Sequence, residues 1–84
     1  MKYCLITFRS VTPAQRAEIL LRRAGIDCQL SRTPRPMEEL GCGYSLRIAA
    51  MDSTRSAMIL RQHQIGFRKI YLWTDNGTFE ELSV

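Results

Sequence analysis

The sequence predicts a small α+β domain in which a strand–helix–strand unit occurs twice. This prediction rests on an internal repeat at a spacing of 41 residues. The corresponding pairs are Tyr3 and Tyr44, Leu5 and Leu46, Thr12 and Ser53, and Gly25 and Gly66. Two such units joined by right-handed crossovers give a ferredoxin-like split βαβ sandwich, β1-α1-β2-β3-α2-β4. We expect an antiparallel four-stranded sheet with both helices on one face. The length of 84 residues fits one domain over 1–84, with a thin core over about 2–74 and a short tail over 75–84.

The first unit contains one strong helix signal between two strand signals. Tyr3–Phe8 is rich in β-forming residues, so it predicts a buried first strand. Thr12 is predicted as the N-cap and Pro13 as the first residue of a helix that Gly25 ends. Ile26–Arg32 alternates apolar and polar residues, which predicts a half-buried second strand. The apolar face of the helix follows the i, i+3, i+4, i+7 rule and consists of Ala17, Leu20, Leu21 and Ala24.

The second unit repeats this order. Tyr44–Ala50 predicts the third strand, and Ser53 is predicted to cap a helix that continues to about Gln64. Gly66 is expected to end that helix, and Phe67–Thr74 is expected to form the fourth strand. The core-facing residues of the second helix are predicted to be Ala57, Ile59 and Leu60.

Composition and charge narrow the class of protein. The formal net charge is +4, and ten of the twelve basic residues are arginine, which suits recognition of carboxylates and other oxyanions. No apolar run approaches the roughly 20 residues needed to span a bilayer. The apolar run Tyr3–Phe8 is too short for the core of a signal peptide, so we expect a cytoplasmic protein.

The three cysteines differ in their surroundings. Cys4 is in step with Ile6 and Phe8 in the first predicted strand. Cys28 shares a strand face with Ile26 and Leu30, so both cysteines are interpreted as small hydrophobic core residues. The odd count, the absence of C-x-x-C and the single distant His63 argue against a structural zinc site or a dithiol redox motif. We therefore expect neither a bound metal nor a cofactor, and His63 is interpreted as a solvated or capping side chain.

Cys42 lies between Gly41 and Gly43, in a segment broken by prolines and glycines. Because its neighbours have no side chains, little covers its sulfur. Guanidinium groups lower the pKa of a nearby thiol, whereas Glu38 and Glu39 would raise it. Cys42 is therefore the candidate reactive thiol, and the candidate anion-binding residues near it in sequence are Arg32, Arg35 and Arg47.

Four motifs occur in order along residues 1 to about 75. A first strand ends in an aromatic residue, and a helix with the pattern A-E-x-L-L-x-x-A-G-I follows, with its motif beginning at Ala17. A T-P-R segment comes next at Thr33 to Arg35, and the last motif, C-G-x-x-L-R, runs from Cys42 to Arg47. With these motifs the chain resembles a known family, the small bacterial proteins described as putative selenium/sulfur carrier protein-like.

The resemblance implies that Cys42 carries sulfane sulfur or selenium as a persulfide or selenopersulfide. Donor and acceptor proteins would be its partners, and the chain would be a carrier without turnover of its own. Gly41 and Gly43 would let a partner's active site close over the sulfur. Arg35 and Arg47 would favour the anionic persulfide.

Two other functions remain open from the residues alone. The chain could be a protein-binding or anion-binding regulatory module, with a homodimer as one form, in which Cys42 is incidental. RNA binding on the open sheet face is the weaker alternative, because the strands carry Tyr3, Phe8 and Tyr44 but no glycine–aromatic RNP signature.

Overall fold

The computed structural model describes residues 2–33 and 43–82. These residues form five strands, two α-helices and one 3-10 turn. In chain order the elements are β1 (Tyr3–Phe8), α1 (Val11–Arg23), β2 (Cys28–Arg32), β3 (Tyr44–Ala49), the 3-10 turn (Ala50–Asp52), α2 (Ser53–Gln62), β4 (Ile70–Trp73) and β5 (Phe79–Leu82).

The strands form one antiparallel sheet in the order β2-β3-β1-β4-β5. The prediction of an α+β domain with two helices is confirmed, but the four-stranded ferredoxin-like sheet is wrong in strand number. Phe79–Leu82, expected to belong to the tail, pairs with Ile70–Trp73 as an edge strand. No strand was predicted there because two of its four residues are acidic, and acidic residues are depleted in strands. Glu81 forms an ion pair with Lys69 at 3.2 Å, and charged side chains are well tolerated on an edge.

One face of the sheet packs against the core. Alternate β1 residues Cys4, Ile6 and Phe8 are fully buried there, opposite Ile48, Leu46 and Tyr44 of β3. The helices complete this layer with Ala14, Ala17 and Leu21 from α1 and Ala57 and Leu60 from α2. Burial of these apolar side chains is the main stabilisation that a domain of this size has available.

Helix α1 begins earlier than its sequence suggests. Ser10 is the N-cap, with an extended backbone, and Thr12 and Pro13 lie inside the first turn. Proline is tolerated there because the first N–H groups of a helix have no intrahelical acceptor. In α2, Asp52 is the N-cap and Ser53 is the first helical residue.

Both helices end in the same Schellman arrangement. In α1, Gly25 has φ +81°, its N–H donates to the Arg22 carbonyl, and Ile26 N–H donates to the Leu21 carbonyl. In α2 the equivalent left-handed residue is Gln64, with φ +58°. Gly66, which was predicted to end this helix, lies two residues later.

Neither α1 nor α2 packs on the opposite face of the sheet. Cross-strand register places the rings of Tyr3, Trp73 and Phe79 in one row on this face. Trp73 stacks on Tyr3 with ring centroids 6.0 Å apart and lies 4.1 Å from Phe79. At the other end of the sheet the same face is polar, with Thr7 opposite Ser45 and Ser45 opposite Ser31.

Candidate functional site

The predicted site residues fall into two groups. Cys42, Gly41 and Arg35 lie outside the described residues. Gly43, Arg32 and Arg47 lie within them, so the structure locates the chain on both sides of the segment 34–42.

Gly43 lies at the base of that segment. Thr33 N–H donates to the Gly43 carbonyl at 3.0 Å, which brings the two ends of the segment together. A Cβ on Gly43 would lie 3.1 Å from Thr33 Oγ1 and 3.5 Å from the Phe8 carbonyl oxygen. A side chain at Gly43 would therefore fit only if Thr33 shifted by a few tenths of an ångström, so this close approach favours glycine.

The end of the sheet next to Gly43 also holds the start of α1. Arg9 follows Phe8, and Gly43 precedes Tyr44, the register partner of Phe8, so both residues lie at the same end of the sheet. The N-terminus of a helix carries about half a positive charge. The first turn of α1 contains no acidic residue, and its N-cap Ser10 makes no side-chain hydrogen bond to the helix.

Two guanidinium groups that sequence reasoning missed belong to this end. Arg68 N–H donates to the Thr7 carbonyl at 2.7 Å, which places Arg68 beside the end of β1. A surface cavity of about 440 Å³ lies between residues 66–68 and the start of α1, lined by Arg9, Ser10, Pro13, Gly66, Phe67 and Arg68. The predicted topology could have indicated part of this group, because in a split βαβ unit the β1–α1 turn and the start of β3 lie at the same end of the sheet.

The two described arginines that were predicted lie differently. Arg32 is exposed at the Gly43 end, with its guanidinium 5.8 Å from the centroid of the Tyr44 ring. The Arg47 guanidinium lies 4.2 Å from the centroid of the Tyr3 ring. Arg47 is four residues from Gly43, roughly 13 Å along a strand, and Tyr3 is farther still.

Cys4 and Cys28 are unsuited to nucleophilic chemistry. Cys4 is fully buried, and burial raises the pKa of its thiol, with a hydrogen bond to Ser53 offsetting part of the rise. Burial also raises the pKa of the half-buried Cys28 thiol, which donates to the Glu18 carbonyl at 3.7 Å. Thiols with raised pKa values stay protonated near neutral pH, where the thiolate is the reactive form.

Residues 2–33 and 43–82 do not indicate metal binding or a membrane span. Within these ranges no group of three or more His, Cys, Asp or Glu side chains could hold a metal ion. His63 is exposed and occupies the C-cap of α2, as expected from the sequence. None of the helices in this part of the chain is long and apolar enough to span a bilayer.

The family model described as "putative Se/S carrier protein-like" matches residues 3–72. The chain belongs to this family. The matched segment includes Cys42, both helices and the first three strands, and it ends within β4, before the edge strand β5. No curated protein and no solved structure matches the chain significantly.

Proposed function

We propose that this Se/S carrier family member holds a sulfane sulfur or selenium atom on Cys42 and passes it to an acceptor protein. The observation that carries the proposal is the position of Gly43, the residue covalently bonded to Cys42. Gly43 lies at the end of the sheet where α1 begins, next to Tyr44, the register partner of Phe8. Family membership supports the same function.

The transfer consists of two exchanges at one oxidation level. The Cys42 thiolate attacks the outer sulfur of a donor persulfide, forming a new S–S bond as the donor's S–S bond breaks. The donor leaves as a thiolate, and Cys42 holds the persulfide. An acceptor thiolate then attacks the outer sulfur, and Cys42 leaves as a thiolate. Selenium in place of the outer sulfur follows the same course, and neither exchange needs an external oxidant or reductant.

Positive charge at this end of the sheet supports both exchanges. Each needs the Cys42 thiolate, first as nucleophile and then as leaving group, and nearby guanidinium groups and helix N-termini favour a thiolate. We propose that Arg9 and Arg68 act here together with Arg32 and Arg35.

For Arg47 we propose a different role, contact with the partner protein. Its guanidinium lies over Tyr3, which puts it on the open sheet face with the aromatic row. A partner that reaches both the thiol and this face would contact Arg47. Gly41 and Gly43 leave room for such a partner at Cys42. We propose that the protein is cytoplasmic and meets its donor and acceptor proteins there.

Persulfide loading resolved by residue tests the proposal. The native protein is incubated with glutathione persulfide, and each cysteine is then read by mass spectrometry after alkylation. We expect one added sulfur on Cys42 and none on Cys4 or Cys28. We also expect iodoacetamide to react with Cys42 below the ordinary thiol pKa of about 8.5. A Cys42→Ser variant should fail to load, and the matched Cys28→Ser variant should load normally.

The alternative is a partner-binding module in which Cys42 is incidental. The exposed part of the aromatic row favours it, since Tyr3, Trp73 and Phe79 are all only half-buried and aromatic residues are enriched in interfaces. Under this alternative, Cys42→Ser retains full activity with the partner, and the wild-type thiol titrates as an ordinary cysteine and stays unloaded.

A further inference from the structure

The helix layer exposes large apolar side chains on its outer surface. Among the residues that the structure describes, the exposed large apolar side chains are those of Ile19, Met51 and Met58. Ile19 in α1 is 51% exposed and Met58 in α2 is 54% exposed. Met51 lies in the 3-10 turn before α2. Both helices therefore leave apolar surface in water on the side away from the sheet.

The two helices run antiparallel, with a groove between them. At one end, the Arg55 guanidinium near the start of α2 donates to the carbonyl of Ala24, the C-cap of α1, at 2.7 Å. At the other end, Arg16 of α1 and His63, the C-cap of α2, line one surface cavity of about 270 Å³. The other residues that line this cavity are all apolar, namely Ile19, Leu20 and Ile65.

One stripe of α1 borders this groove. It begins at Arg16 and continues with Ile19, Leu20 and Arg23, at the spacing i, i+3, i+4, i+7 of one helix face. Leu20 is half-buried and packs against the core, and Ile19 next to it is exposed. The stripe therefore has an apolar centre and a guanidinium group at each end.

Helix α2 borders the groove from the other side. Ile59 lies four residues after Arg55 and four before His63, so these three side chains share one stripe. Ile59 is half-buried against the core, and its neighbour Met58 is exposed. We call the surface formed by the two stripes and Met58 the interhelical groove.

The charged side chains of the interhelical groove are all basic. Arg16, Arg23 and Arg55 are exposed. Within residues 2–33 and 43–82 none of them forms an ion pair. Positive charge therefore lies at both ends of the apolar centre and is not neutralised by described carboxylates.

The acidic residues on and next to the helices lie outside the interhelical groove. Glu18 forms an ion pair with Arg22 at 3.3 Å, on the side of α1 next to β2. Asp27 lines a different cavity, together with residues of β2 and β3. Asp52 is the N-cap of α2 and precedes its stripe. The groove therefore complements a ligand that is apolar along its centre and acidic at its margins.

We propose that the interhelical groove binds an acidic amphipathic helix of a partner protein. Such a helix packs its apolar residues, spaced i, i+3, i+4 and i+7, against the apolar centre of the groove. Its Asp and Glu side chains then reach the guanidinium groups at the two ends. A nucleic acid would use the arginines but not Ile19 and Met58. A flat lipid surface would not reach the half-buried Leu20 and Ile59.

This docking site goes beyond the proposed function, because it lies on the helix layer and involves no cysteine. A partner bound there is held by apolar contact and charge, whether or not Cys42 carries sulfur. Persulfide loading of Cys42 by glutathione persulfide should therefore be the same in the wild type and in an Ile19→Gln variant.

A designed peptide tests the proposal on the full chain. The probe is a fluorescent helical peptide about as long as α1, with leucine at i, i+3, i+4 and i+7 and glutamate beside the leucines. A matched peptide carries lysine in place of each glutamate. Anisotropy measures binding, and backbone amide NMR shifts locate it. Phosphatidylserine vesicles and an oligouridine are tested in parallel.

We expect the acidic peptide to bind and to shift amide resonances within Arg16–Arg23 and Arg55–His63. Ile19→Gln and Met58→Gln should each weaken binding about five- to tenfold, because each removes a half-exposed apolar side chain from the contact. The lysine peptide should not bind, since its charge repels that of the groove.

Two matched controls separate the groove from the rest of the helix layer. Arg23→Gln should weaken binding about two- to fivefold at low salt and less at high salt. Arg22→Gln, one residue away on the β2 side, should bind like the wild type. Met51→Gln should also bind like the wild type, as the control for Met58→Gln.

Four results would overturn the proposal. They are no binding of the acidic peptide up to about 1 mM, equal binding of the lysine peptide, equal losses in the control variants, and shifts confined to the open sheet face. Binding of the vesicles or of the oligouridine without binding of the peptide would assign the groove to a lipid or to RNA and reject a protein helix. Normal loading of Cys42 alongside any of these results leaves the carrier function standing.

Discussion

Replacing Gln64 with glycine should stabilise the protein, although it removes a side chain. Gln64 holds φ at +58° at the end of α2, a conformation that costs a non-glycine residue roughly 1–2 kcal/mol. Glycine loses about 0.5–1 kcal/mol more backbone entropy on folding. The difference between the two ranges is about 0–1.5 kcal/mol, and its midpoint of about 0.75 kcal/mol corresponds to a rise in Tm of about 3–6 °C for a domain of this size. Thermal and urea unfolding followed by circular dichroism measure it.

Two glycines supply the controls for this reasoning. Gly25 has φ +81° and no heavy atom within 4 Å of an added Cβ, so Gly25→Ala should cost about 1 kcal/mol from the backbone alone. Gly66 also has open space around it and lies outside the left-handed region, so Gly66→Ala should be neutral or stabilise by up to about 1 kcal/mol. If Gly66→Ala destabilised as much as Gly25→Ala, and Gln64→Gly gained nothing, the reasoning about the helix end would be refuted.

Two further predictions concern pH and the base of the segment 34–42. Burial raises the pKa of Cys4 and Cys28 in the folded protein, so the unfolded chain releases these protons first. Stability should then fall as the pH rises above about 8.5, and Cys4→Ala should flatten that fall in urea titrations; an unchanged slope would contradict the burial argument. Gly43→Ala should cost about 1–3 kcal/mol, because its Cβ would lie 3.1 Å from Thr33 Oγ1. Thr33→Ala in the same chain should recover most of that loss, and purely additive losses in the double variant would show that the contact is not the cause.

Local signals in the sequence predicted the core elements well, because they depend on neighbours in the chain. The β-forming residues of Tyr3–Phe8 and the apolar face of α1 were sufficient to predict a buried strand and an amphipathic helix. Burial of Cys4 followed from its place in this strand, in step with Ile6 and Phe8. The helix boundaries were predicted less well. Ser10, and not Thr12, is the N-cap of α1, since several residues there could serve as caps.

The end of α2 shows where local preference fails. Gly66 is the residue that local rules select, yet Gln64 takes the left-handed conformation. Ile65 N–H then donates to the Leu60 carbonyl at 2.9 Å, and both side chains are buried. Packing of these two residues outweighs the backbone cost at Gln64, and such packing is a property of the tertiary fold.

The sequence by itself determined the α+β class, the family and Cys42 as the candidate thiol, because each depends on residue identity and spacing along the chain. The tertiary structure alone decided which residues meet at the Gly43 end of the sheet. It placed Arg9 and Arg68 there and left Arg47 over Tyr3. It also placed Arg16 and Ile19 of α1 beside His63 of α2, in the interhelical groove. The physical reason is that strand register and burial join residues far apart in the chain, and no local pattern encodes those neighbours.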